Sequence, residues 1–187
     1  MSPGSAAGLA AALLFARGRT EGLALLPNDL ATARASFRAA LFCLPFFLLA
    51  RLIAWALRGV PEAGFAYALV VDLIGYVLAW TAFALVSLFL ARQADRAGQW
   101  PQFIAVWNWV NLVQYALLLV LAFAALTLPA FMANVLGLVV LGYAVWLGWF
   151  VVRVALNVGG GTAALFVVAD LMLGLFIGGY SARILAG

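Results

Sequence analysis

The chain contains no histidine and no lysine, a single cysteine, and six acidic residues among 187. Each absence closes off chemistry. Without histidine, this chain cannot by itself assemble the Ser-His-Asp or Cys-His arrangements of nucleophilic catalysis. Histidine-ligated haem, zinc, copper and non-haem iron are excluded with them. Without lysine the GxxxxGK[ST] phosphate cradle cannot be written, so residues 159–161 read as a flexible glycine turn with Thr162 capping the helix that follows. Cys43 lies alone in an apolar stretch and has no partner for an intramolecular disulfide. The GxGD signature of intramembrane aspartyl proteases is also missing. The expectation is a non-enzymatic protein with no cofactor and no metal.

Charge is scarce as well. Only 9% of residues are charged and 68% are apolar, against about 25% and about 45–50% in a soluble domain. That composition excludes a soluble globular protein. All ten cations are arginines, giving a net charge of +4. Nearly all of them flank hydrophobic runs instead of gathering on a polar face, so they read as topology signals, and no nucleic-acid partner is expected.

What the chain has is length enough to cross a bilayer repeatedly, since a hydrocarbon core of about 30 Å is spanned by about 20 helical residues. Runs at 39–57, 66–90, 103–126, 130–152 and 163–184 predict an all-α polytopic transmembrane helix bundle of five spans, occupying residues 39–187. Pro45 and Arg51 interrupt the first. The connections are short, so each helix is expected beside the next. Residues 1–38 read as an N-terminal amphipathic interfacial segment. Pro27, Asn28 and Asp29 mark a helix start, with Leu30, Phe37 and Leu41 on one side and Arg34 and Arg38 on another. A shorter helix near 6–16, carrying Leu9, Leu13 and Phe15, is expected to lie flat on the membrane. The apolar N-terminus lacks the basic stretch that precedes a cleaved signal sequence.

Arginine counting orients the chain. With the N-terminus inside, Arg17, Arg19, Arg34, Arg38, Arg92, Arg96 and Arg153 fall on the inner side, and Arg58 and Arg183 on the outer. Trp100, Trp107, Trp109, Trp146 and Trp149 are then expected toward the inner interface. The predicted location is a bacterial inner membrane with a cytoplasmic N-terminus and an outward C-terminus.

Ionisable groups at the bilayer centre cost at least ~2.5–3.5 kcal/mol, so each demands a partner or a wet cavity. At ~1.5 Å per residue, Arg51 and Asp72 lie at similar depth on consecutive helices and are expected to form an ion pair, either structural or gating. Asp170 has no obvious cation. The run WNWVNLVQY places Asn108, Asn111 and Tyr115 on one helical face with Gln114 beside it, at depths bracketing Asp170. These five residues are the candidate polar site; the competing reading is helix glue around a neutral Asp170. From Asp170 the spacing of four continues through Gly174, Gly178 and Ala182, a small-residue face suited to close packing against a helix of this chain or another. VVDL at 70–73 and VVADL at 167–171 are a local repeat, and inverted repeats of that kind build transporters with midplane sites.

With its lead-in ARGRTEGLALLP at 16–27 and the late segment GGTAALFVVADLMLG at 160–174, the whole chain resembles small uncharacterised bacterial integral membrane proteins. Its topology is also similar to that of Yip1-type proteins, although the DLYGP signature of their eukaryotic members is absent. The resemblance implies location and span count and transfers no functional residues. Two functions compete, the first as the leading expectation and the second as its alternative. One is an accessory or scaffold subunit whose partners are the lipid bilayer and other membrane subunits or a second copy. The other is a small-solute or proton-linked transporter using the cluster around Asp170.

Overall fold

The computed structural model describes residues 3–186, and among them every regular element is a helix. A short α1 (Pro3–Ala16) leads through a 3-10 turn (Thr20–Leu25) into α2 (Leu30–Ser36). Then come five long helices, α3 (Arg38–Arg58), α4 (Phe65–Gln93), α5 (Trp100–Thr127), α6 (Ala130–Ala155) and α7 (Gly160–Ala186). Helices α4 to α7 have 26–29 residues, or ~40 Å at 1.5 Å per residue, more than the ~30 Å of a bilayer core. α2 and α3, separated only at Phe37, form a fifth apolar stretch of 29 residues. The chain is an integral membrane protein.

Local chemistry sets the helix ends. Asp29 caps α2 by accepting the Thr32 amide at 2.6 Å, and this bond holds its exposed carboxyl below the usual carboxylate range. Gly59 and Gly64, at φ of 90° and 88°, frame the α3–α4 turn, where a side chain is disfavoured. α3 runs on through Pro45. α7 begins at Gly160, so Thr162 sits in its first turn and is not the cap that the glycine run suggested.

The bundle is organised around one half of α5. Its eight consecutive residues Phe103 to Val110 are all buried, whereas a helix lying on a surface buries only a stripe. Enclosure on every side is required. α1, α2, α3 and α6 pack on α5, and Phe83 of α4 and Phe166 of α7 close the rest, with rings 4.4 Å from Trp107 and 5.8 Å from Phe103 respectively. Trp107 and Trp109 thus belong to the core and not to the interface where they were expected.

α1 differs from expectation for the same reason. It is packed into the bundle, with Ala11, Ala12 and Phe15 fully buried and Phe15 edge-on to Phe150. The segment PGSAAGLAAALLFA has no charged residue and so no polar face to hold in the headgroups. Its small residues admit close approach: a Cβ on Gly8 would run into the Trp109 indole. Polar straps fix the segment to the bundle. The Tyr143 hydroxyl donates to the Ala16 carbonyl at 2.6 Å, and Gln102 Nε2 donates to the Leu23 and Leu26 carbonyls at 3.0 and 2.7 Å. Asn28 Nδ2 donates to the Gly98 carbonyl at 2.9 Å.

Neighbours in sequence are not always the chief neighbours in space. α3 packs mainly on α5, and α4 mainly on α7. The close α4–α7 approach is made at Gly75, where a Cβ would stand 3.2 Å from Ser181 Oγ. The helices therefore follow one another round a ring as α3, α5, α6, α7, α4, with sparse contact between α4 and both α3 and α5. Trp100 Nε1 donates to Ser87 Oγ at 3.1 Å, tying α5 to α4 at the end that carries the α4–α5 turn, hereafter the near end.

Gly8→Leu should lower the thermal midpoint of the detergent-purified protein by the equivalent of about 1–3 kcal/mol, the cost of overpacking a filled site. Gly4→Leu, where a side chain meets open space, should leave it unchanged. Equal midpoints for the two variants would show that α1 does not pack on α5.

Candidate functional site

Between α4, α5 and α7 lies a cavity of about 390 Å³ whose lining includes Asn108, Asn111, Gln114, Tyr115 and Asp170. All five residues of the sequence-derived polar cluster meet there. Helical spacing presents the α5 groups as a strip, and α7 supplies the carboxylate opposite. Two of the amides are already engaged. Asn108 is buried and donates from Nδ2 to Ser36 Oγ at 2.9 Å, and Ser36 in turn donates to the Ala33 carbonyl at 2.6 Å. Asn111 Nδ2 donates to the Trp107 carbonyl one turn back, at 3.3 Å. Asp170 makes no hydrogen bond or salt bridge with any described residue.

The remaining wall is apolar, part aliphatic from α5 and α7 and part aromatic. Trp80 and Phe83 from α4 and Trp107 from α5 line the same cavity. Phe83 and Trp107 are stacked at 4.4 Å and 23°. Phe103 lies against both rings, at 6.4 and 5.7 Å, and Phe166 against Phe103. This packed group closes the cavity toward the near end.

Toward the opposite, far end a second cavity of about 270 Å³ is lined by Arg51, Asp72, Tyr76, Gly178, Ser181 and Ala182, among others. The two cavities share Ala79, Tyr115 and Gly174 as walls. Arg51 and Asp72 meet as a bidentate pair, Nε to Oδ2 at 2.6 Å and Nη2 to Oδ1 at 2.9 Å. Such a fork fixes geometry as well as charge. The Asp72 side chain is only 8% exposed, against 37% for Arg51, whose guanidinium lies 5.7 Å from the Trp55 ring. One hydrogen bond further along, the Tyr76 hydroxyl donates to the Ala40 carbonyl at 2.7 Å, a second link between α3 and α4.

Gly174, Gly178 and Ala182 are placed differently from a close-packed face. A Cβ on Gly174 or Gly178 would meet nothing within 4 Å, and all three residues line the cavities. The close approach of α7 to α4 is made at Gly75, and α7 meets α6 closely at Gly160 and Gly148. Sequence reasoning passed over Gly75, Ser36 and the α4 aromatics. Tyr76, Trp80 and Phe83 recur at steps of four and three, a spacing that marks one helical face and was the available signal.

Among the described residues no three Cys, Asp or Glu side chains gather as a metal-binding group. Asp72 and Asp170, from the two similar segments VVDL and VVADL, line adjoining cavities. No family model, curated protein or solved structure matches the chain.

Arg51→Ala should lower folded yield and thermal midpoint, because it leaves a buried carboxylate unpaired. The double change with Asp72→Ala should recover part of the loss, with a coupling of about 0.5–3 kcal/mol. Strictly additive losses across the cycle would show that the pair does not stabilise the fold.

Proposed function

We propose that this integral membrane protein is a proton-linked carrier for a small solute, with Asp170 as the group that exchanges protons and the α5 polar strip as its binding partner. The observation that carries this reading is the cavity itself: five polar groups from two helices converge on one space of about 390 Å³, and the carboxylate there has no hydrogen-bond or ion-pair partner among the described residues. A pocket of that size suits a small ligand, and an intramembrane acid facing a cavity is the usual form of a proton or substrate site. An accessory subunit needs such groups sealed against one another. Of the five, only Asn108 is buried, and Asn111 bonds back to its own helix.

The layout also suits alternating exposure. α4 and α7 pack as a pair; α7 is held by α6, while α4 is joined to α3 and α5 sparsely, through the Arg51–Asp72 fork, the Tyr76 and Trp100 hydrogen bonds and a few aromatic contacts. A boundary with few contacts is where one group of helices can rock against another. In this reading the fork is the far-end latch, and the aromatic group of Phe83, Phe103, Trp107 and Phe166 is the near-end barrier. Seven arginines fall near the near end and two near the far end, which favours a cytoplasmic near end in a bacterial inner membrane.

Purified protein in liposomes loaded with a pH-sensitive dye, with the membrane potential clamped by potassium and valinomycin, should dissipate an imposed pH gradient faster than empty vesicles. Asp170→Asn, of nearly the same shape, should return the rate to the empty-vesicle value while keeping the thermal midpoint. Equal fluxes in the two proteins, or none in the wild type, would overturn the reading.

A further inference from the structure

We infer that the solute is an organic cation, an ammonium ion carrying apolar substituents, held between Asp170 and the aromatic wall of the cavity. The inference rests on the carrier reading above and adds the chemistry of the ligand. Four observations lead to it. The cavity holds one formal charge, the Asp170 carboxylate, and no basic residue lines it. Arg51, the cation lining the adjoining cavity, is committed through both Nε and Nη2 to Asp72. A carboxylate in a low-dielectric space is stable only with a countercharge or a proton, so the empty place beside Asp170 has a defined sign.

Aromatic rings supply the second element. Trp80, Phe83, Trp107 and Tyr115 stand round the same space, and the faces of such rings attract cations, most strongly when these are desolvated. An anion would meet like charge at Asp170. A sugar or other neutral polar solute would leave the carboxylate without a countercharge and set its hydroxyls against rings. The amides of Asn111 and Gln114 add polar contacts without adding charge. The cavity volume excludes neither a benzylammonium-sized ligand nor one twice as large, since small-molecule sites run from about 300 to 1,000 Å³. Proton and ammonium then compete for the same carboxylate, which is what couples their movements.

Benzyltrimethylammonium is the probe, and neopentylbenzene, its neutral counterpart with carbon in place of nitrogen, is the control. By calorimetry on the detergent-purified protein, the cation should bind and the neutral compound should not compete for it. Asp170→Asn should weaken binding about 30-fold or more, as expected for loss of a desolvated charge partner; Asp170→Glu should retain most of it. A readout that needs no variant is the rate at which dicyclohexylcarbodiimide modifies Asp170 in the wild type, followed by peptide mass spectrometry. Saturating benzyltrimethylammonium should slow it at least about threefold, and neopentylbenzene should not.

Undetectable cation binding at about 1 mM, equal affinity in Asp170→Asn, or a modification rate unmoved by the cation would each overturn the ligand assignment. If proton flux through wild type still exceeds that through Asp170→Asn, the carrier reading survives that failure with a different solute. If the flux difference is absent too, both fall.

Discussion

The enclosure of the near half of α5 is the constraint from which the rest of the architecture follows. Eight successive buried residues need neighbours on every side, and the other four long helices do not supply them without help. α1 and α2 fill the sectors that α3 and α6 leave open, which is why an uncharged 14-residue helix sits in the bundle. With so much of α5 covered, α4 reaches it at the near end and through the Tyr76 and Tyr115 rings, and turns its long face to α7 instead. Beyond the near-end contact the helices α4 and α5 flank a space, and the polar strip of α5 faces into it.

Two aspartates show how placement decides chemistry. Asp72 and Asp170 stand on α4 and α7, which pack together, in similar local sequence. Asp72 meets the Arg51 fork and is satisfied by two short hydrogen bonds. Asp170 shares its cavity with rings and with amides, of which Asn108 and Asn111 are bonded elsewhere. The first is used up by the fold, and the second is available for something from outside. The two lie in adjoining cavities with Tyr115 on the shared wall.

The long apolar helices were readable from hydropathy, because a bilayer span leaves a run of some twenty residues that no other structure needs. The Arg51–Asp72 pairing followed from depth alone, since both residues sit near the same turn of a helical hairpin. The polar cluster followed from the 3.6-residue repeat on α5 and the depth of Asp170. What escaped was lateral order. Hydropathy says that a helix spans but not which helix it spans beside, so the α4–α7 pairing and the position of Gly75 were out of reach. The glycine ladder is open within this chain for a related reason: small residues permit close approach, but the same missing side chains also leave room, and at Gly174 and Gly178 they leave room. For α1, shortness suggested the interface, while its lack of any polar side, visible in the residues, was the better guide.

The burial of α1 bears on how the protein is made. Synthesis at roughly 5–20 residues per second brings α1 out of the ribosome well before its pocket exists. Phe15 waits for Phe150, about 135 residues later in the chain, an interval of ~10 s at those speeds. An uncharged, wholly apolar helix can spend that interval dissolved in lipid at little cost, where a charged one would have to stay in water. An element translated before the five long helices is thus docked only after most of them, and membrane insertion of α6 is the step on which that docking depends.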